Sequence, residues 1–199
     1  ASLFLAGRPL HACGPDTDCV IGDRTYRIRM PEGHAGQERI GAIVFAHGYR
    51  GSAAGVMRNK SLTRASSELG VAIIAANSAD NDWDIPGTPA NVQATGDAEY
   101  NYFDEMIDHA SANFSIDRDR LMATGFSAGG MMVWNMACSR PDLFAGYAPI
   151  SGTFWLEPPD HCEGPVANLI HFHGDADPTV PLAGRPIADT HQGNVNDAL

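Results

Sequence analysis

One stretch constrains the fold of this chain more than any other, the run Leu121-Met-Ala-Thr-Gly-Phe-Ser-Ala-Gly-Gly130. Within it Gly125-Phe126-Ser127-Ala128-Gly129 forms a G-x-S-x-G pentapeptide. A short apolar run of strand length, Arg120 to Thr124, precedes it, and Met131-Met-Val-Trp-Asn-Met-Ala137, rich in helix formers, follows. The spacing predicts a serine on a sharp strand-to-helix turn, its hydroxyl raised over the sheet edge. Glycines two before and two after let strand and helix approach without a Cβ clash and accept unusual φ/ψ. The helix start then offers free backbone N–H groups to whatever the serine meets. The plainer reading is a Gly-rich loop with Ser127 as a helix N-cap.

The chain has 199 residues, enough for one α/β domain with a core of its own, and no internal boundary or repeat is visible. Its formal net charge of −11 argues against nucleic acid and anionic membrane surfaces as partners, since both call for basic patches. No run reaches the roughly 18 apolar residues of a spanning helix. Leu3 to Ala6 is too short for a complete signal peptide and reads as the start of a mature chain.

Four cysteines stand at Cys13, Cys19, Cys138 and Cys162. Cys13 and Cys19 bracket Gly-Pro-Asp-Thr-Asp, a turn-forming run. Two bridges, 13–19 and 138–162, are the simplest of the three pairings, and they would mean an exported protein, secreted or periplasmic. Reduced buried thiols and a zinc site are the alternatives, the latter without any usual C-x₂-C spacing to support it. No metal or other cofactor is expected.

Apolar runs alternate with helix-length segments along the chain. Arg24 to Met30 alternates polar and apolar residues as a half-buried strand does. Ile40 to Ala46 and Val71 to Ala76 are continuous apolar runs, as in parallel strands covered on both faces. Ser52 to Leu69 fits one helix with Gly70 at its C-terminus, and Thr95 is placed to N-cap a helix reaching Asn113. Asn77 to Ala94 reads as a long loop, Phe144 to Ile150 and Val166 to Phe172 as further strands, and the tail from Pro186 as polar, starting a helix. This alternation predicts a mostly parallel sheet with helices on both faces. Sites of such sheets lie at the carboxyl ends of the strands, so the loops at His47, Ser127 and Asp177 should gather on one edge.

A serine hydroxyl needs a base and an acid that orients the base before it can act as a nucleophile. Asp177, with Pro178 behind it, and Asp175 both lie just past the Val166–Phe172 run. An oxyanion needs two preorganised N–H donors, one expected from Ala128. His47 is read as a residue that hydrogen-bonds loop backbone rather than as the base. Trp155 and Trp83 fall in loops on the site edge and either line an apolar pocket or pack beneath the loops.

These motifs together resemble the α/β-hydrolases of the polyhydroxybutyrate depolymerase and feruloyl esterase group of secreted carboxylesterases. The resemblance is carried by His47-Gly48, by Ile116-Asp-Arg-Asp-Arg-Leu121 leading into Gly125–Gly130, and by Arg140-Pro-Asp-Leu-Phe-Ala145. It continues through Ala148-Pro-Ile-Ser-Gly152 and His173-Gly-Asp-Ala-Asp-Pro-Thr-Val-Pro181, so it spans Cys13 to about Pro181. It implies Ser127 as nucleophile, Asp177 rather than Asp175 as the acid, and a Cys138–Cys162 bridge. It also implies an oxyanion donor from Tyr49 in His47-Gly48-Tyr49. The function implied is a serine carboxylic-ester hydrolase acting through an acyl-enzyme on polyhydroxyalkanoate-type or aryl, feruloyl-like esters. A peptidase of the same fold and a non-catalytic binding protein are the alternatives. The chain departs from the group at the base, which there follows a further strand. His191 is close behind Asp177 with no strand between. The expectation is therefore a fold lacking its C-terminal strand and helix, with the catalytic histidine beyond Leu199.

Overall fold

The computed structural model describes residues 13–165 and 167–199. Its strands are β1 (Cys19–Ile21), β2 (Arg24–Arg29), β3 (Ile40–Ala46), β4 (Ala72–Ala76), β5 (Ile116–Phe126), β6 (Gly146–Ile150), β7 (Arg185–Ile187) and β8 (Thr190–Gln192). Its helices are α1 (Ala53–Arg58), α2 (Lys60–Glu68), α3 (Asp97–Asn113), α4 (Ala128–Ser139) and α5 (Val195–Ala198). The main sheet has the order β1-β2-β4-β3-β5-β6. β1, β2 and β4 pair antiparallel, and β4, β3, β5 and β6 run parallel.

Period-two alternation divides β4 between the two faces. Ala72, Ile74 and Ala76 join the core that α3 and α4 build through Met106, Ile107, Met132 and Met136. Ile73 and Ala75 pack with Ala53, Val56 and Met57 of α1 on the other face. The sheet is thus covered on both sides where β3 and β4 lie, which is why those strands are uninterrupted apolar runs.

Two local expectations are corrected. The single helix over Ser52–Leu69 is broken at Asn59, whose backbone (φ −73°, ψ 95°) is extended. Asn59 ends α1 with its N–H on the Val56 carbonyl and starts α2 by accepting from Leu62 N–H, 3.1 Å away. A side chain that competes with helical backbone favours such a boundary. The tail is not simply helical either, because β7 and β8 form a hairpin before the short α5. The N-cap of α3 is Gly96 at φ 84°, one residue after Thr95, whose hydroxyl still accepts from Asp97 N–H.

Val166 and the Leu3–Ala6 run lie outside the described residues. The rest of the expected 166–172 strand runs parallel to β6, touching it at Tyr147–Leu169 and Ile150–Phe172. Four backbone hydrogen bonds tie it there, from Tyr147 to Asn168, Ile170 to Tyr147, Phe172 to Pro149 and Ser151 to Phe172. Phe126, Ile150 and Phe172 stand in register across this end of the sheet, with Phe126 and Phe172 about half exposed. The carboxyl ends of β3, β5 and this last segment deliver the loops at His47, Ser127 and Asp177.

Candidate active site

The turn at Ser127 is built by backbone contact. A Cβ on Gly125 would overlap the Gly129 carbonyl, and one on Gly129 would overlap the Ala46 carbonyl. Only glycine lets β5 enter α4 this closely beside β3. Ser127 itself sits at φ 57°, ψ −120°, a region that L-residues rarely adopt. Its N–H donates to the Ile150 carbonyl at 3.0 Å, and its own carbonyl accepts from Met131 N–H at 3.0 Å. α4 is buried from Ala128 to Cys138 and so cannot shift to relieve the turn. Ala128 is its first residue, where an N–H has no acceptor within the helix.

The loop after β3 lies against this turn. A Cβ built on Gly48 would stand 3.6 Å from Ser127 Cβ. His47 organises the loop: Nδ1 donates to the Gly48 carbonyl at 2.9 Å, and Nε2 accepts from Ser78 N–H at 3.2 Å. That pattern needs a neutral ring, and burial pushes the His47 pKa below its ordinary value, against two weaker backbone contributions. Trp83 donates its indole N–H to the His47 carbonyl at 2.8 Å and packs on the ring. Trp83 is 1 % exposed, so it supports the loop from beneath and does not line a pocket. Tyr49, at the loop's tip, is exposed beside Ser127.

The acid loop is held differently. Asp177 Oδ1 accepts from Val180 N–H at 3.0 Å and Thr179 N–H at 2.8 Å, and these bonds hold its carboxyl below the usual carboxylate range. The Ser151 hydroxyl and His173 favour the ionised form less strongly. Asp175 is exposed.

The histidines have other partners. His173 Nε2 donates to the Val180 carbonyl at 2.6 Å, His171 pairs with His173 at 2.9 Å, and His191 faces Glu157 at 3.4 Å. Among the described residues no histidine is hydrogen-bonded to Ser127 or Asp177.

Ser127, Ala128 and Tyr49 open onto one cleft of 480 Å³. Trp155 lines it, with Met131, Pro89 and Ile187 as further apolar wall. Asp82, Thr179, Arg185 and Gln192 make the polar wall, and none of these was visible as a site residue in the sequence. Asp82 lies next to Trp83, the only local hint, and burial pushes its carboxyl up. Arg185 and Gln192 arrive through the β7–β8 hairpin, for which the polar tail carried no signal. Both disulfides are formed, Cys13–Cys19 and Cys138–Cys162, with Cα separations of 4.9 and 4.5 Å. No helix among the described residues is long and apolar enough to cross a membrane.

A mostly parallel sheet, a strained serine between strand and helix and the His47 loop packed beside it are the arrangement of an α/β-hydrolase. The family model described as "Putative esterase" matches residues 20–176, and the chain belongs to that family. It is 31% identical over 171 residues to "Putative esterase NocK" of Nocardia uniformis, covering 84% of this chain and 49% of that protein. Feruloyl esterase C of Emericella nidulans is 26% identical over 180 residues, 87% of this chain and 63% of that protein. Poly(3-hydroxyalkanoate) depolymerase C of Paucimonas lemoignei is 47% identical over 57 residues, 29% of this chain and 14% of its own. The chain thus spans about half the length of the curated relatives it matches. Among solved structures, acetyl xylan esterase from Aspergillus awamori shares the fold with a TM-score of 0.56 at 22% identity. The match covers 70% of this chain and 51% of that one.

Proposed function

We propose that this protein is a serine esterase working through an acyl-enzyme, with Ser127 as nucleophile and polyhydroxyalkanoate-type or aryl, feruloyl-like esters as substrates. The observation that carries the reading is Ser127 at φ 57° on a cleft it shares with Ala128 and Tyr49. In the proposed reaction Ser127 Oγ bonds to the ester carbon while its proton passes to a histidine base oriented by Asp177. The N–H groups of Ala128 and Tyr49 stabilise the oxyanion of the tetrahedral intermediate. The C–O bond to the alcohol then breaks, and the alcohol oxygen takes the proton from the base. Water repeats the sequence on the acyl-enzyme and releases the acid. The names of two relatives, a feruloyl esterase and a poly(3-hydroxyalkanoate) depolymerase, support the two ester classes. Two disulfides support export to an oxidising compartment.

A second reading, a binding protein without turnover, draws on one observation: no described histidine is bonded to Ser127. A fluorophosphonate probe and 4-nitrophenyl acetate test both readings. The esterase is expected to be labelled at Ser127 and to turn the ester over, and Ser127→Ala is expected to lose both with its fold intact. Turnover retained in Ser127→Ala would overturn the assignment, and an unlabelled, inactive protein would favour the second reading.

A further inference from the structure

The wall of the Ser127 cleft carries a cation without a counter-charge. Arg185, the first residue of β7, lines the cleft together with Ser127, Tyr49 and Trp155 and is exposed there. The chain has 24 Asp and Glu against 13 Lys and Arg, so carboxylates are plentiful. Among the described residues, however, none lies within ion-pair distance of Arg185. Asp82 of the same cleft is beyond that distance, and burial pushes its carboxyl up, toward the neutral form. The other polar side chains of this wall, Thr179 and Gln192, are uncharged. A second cation stands next to the cleft, since the Arg50 guanidinium lies 5.1 Å from the centre of the Tyr49 ring.

The guanidinium is fixed along one edge and free along another. Its Nε donates to the Thr179 carbonyl at 2.7 Å, while Nη1 and Nη2 have no protein partner among the described residues. The backbone beneath is fixed as well. Arg185 pairs with Gln192 across the β7–β8 hairpin. Leu156 N–H donates to the His191 carbonyl at 2.9 Å and the Thr190 hydroxyl to the Gly87 carbonyl at 2.7 Å, which fastens the hairpin to the body of the protein. Little of this geometry has to be ordered when a ligand arrives. A guanidinium anchored through Nε presents Nη1 and Nη2 as a planar fork, and a carboxylate matches that fork in both spacing and charge. A neutral acceptor matches the spacing alone and forms the weaker hydrogen bonds.

We propose that Arg185 is a specificity residue of the cleft and selects esters that bear a free carboxylate on their acyl or alcohol part. The proposal rests on the cleft being an ester site. Substrates of this kind are short acidic esters rather than the interior of a neutral polyester. In a chain of formal net charge −11 the long-range field repels such anions, so their selection depends on a cation that touches them.

The test is calorimetric titration of Ser127→Ala protein with amide analogues of esters, in pairs that differ only by a carboxylate or its primary amide. One pair, N-butanoyl-3-aminobutanoate against N-butanoyl-3-aminobutanamide, places the charge on the alcohol side. The other, N-ethylsuccinamate against N-ethylsuccinamide, places it on the acyl side. The acid of at least one pair is expected to bind about 5–10-fold tighter at low salt. That advantage should shrink as NaCl rises from about 20 mM to about 500 mM. The pair that responds identifies the side of the ester bond that meets Arg185. Arg185→Met is expected to bring the ratio within the pair close to one, a readout that a general loss of affinity does not move. Equal affinities in both pairs, no measurable binding of either acid, a preference indifferent to salt, or one that survives Arg185→Met overturns the proposal. The ligand and salt comparisons are made with Arg185 intact, so poor folding of the variant does not protect the idea. Fluorophosphonate labelling of Ser127 in the unmutated protein reads the esterase assignment separately: labelling without a carboxylate preference sinks only the role of Arg185, and a preference without labelling sinks only the nucleophile.

Discussion

The turn at Ser127 and the loop at Asp177 both stand at carboxyl ends of strands of one sheet, but they are held in opposite ways. At the serine turn, backbone meets backbone. Gly125, Gly129 and Gly130 each have a carbonyl where a Cβ would go. At the acid loop, space is open. A Cβ on Gly174 would find its nearest atoms about 4 Å away, on Asp177 itself. What holds that loop is side chains on backbone: the Asp177 carboxylate accepts two N–H groups of its own turn, and His173 and Arg185 donate to the Val180 and Thr179 carbonyls. The first region tolerates no added atom, and the second depends on side-chain hydrogen bonds to its backbone. A nucleophile must sit on a rigid frame, whereas an acid that orients a base needs only a fixed oxygen.

The largest expected effect comes from breaking the acid loop's chemistry without breaking its geometry. Asp177→Asn keeps an acceptor for Thr179 and Val180, so the turn should remain. Turnover of 4-nitrophenyl acetate should nevertheless fall by roughly four decades if Asp177 holds a histidine tautomer. Asp175→Asn, at an exposed neighbour, should cost little, and the reverse ranking would show that the wrong carboxylate was chosen.

A glycine pair tests the difference in packing. Gly129→Ala drives a methyl into the Ala46 and His47 carbonyls and should destabilise the fold by about 1–3 kcal/mol or more in urea unfolding. Gly174→Ala should stay within about 0.5 kcal/mol. Similar losses at both sites would remove the distinction drawn between the two regions.

Smaller still is the dependence on pH. Burial holds the pKa values of His47 and His171 below their ordinary 6.5, with His173 adding to the effect at His171. Between the folded and unfolded pKa values the unfolded chain binds more protons, so stability is full above pH 6.5 and declines as pH falls through this window. Asp177 acts in a lower window: its depressed pKa contributes stability above 3.8 that is lost as pH falls through the folded value. His47→Gln should flatten the upper part of a urea-midpoint profile against pH, and Asp177→Asn the lower part. An unchanged slope below pH 6.5 in His47→Gln would mean that His47 is not held neutral.

The parallel core was legible because its signal is local. An apolar run such as Ile40–Ala46 has one good use in a chain of this length, and it is β3 residue for residue. The serine turn was legible for the same reason, since glycine spacing and flanking runs specify a strand–turn–helix unit with little help from outside. His47 as an organiser of loop backbone could also be read, because its partner Gly48 is the next residue. Trp83 could not. Whether an aromatic in a long loop faces a pocket or the core depends on an acceptor far away in sequence, here the His47 carbonyl.

The break at Asn59 was hidden because helix propensity is nearly continuous across it, and an asparagine side chain decides the matter only once it caps. Arg185 and Gln192 were hidden more deeply. Their hairpin is three residues on each side, too short for a periodic signal, and contacts such as Thr190 to Gly87 fasten it across 103 residues of sequence. Sequence alone determined the parallel core strands and the serine turn, because hydrophobic period and glycine geometry act over a few residues. Tertiary structure decided the cleft, because its polar wall is assembled from segments that meet only when the chain has folded.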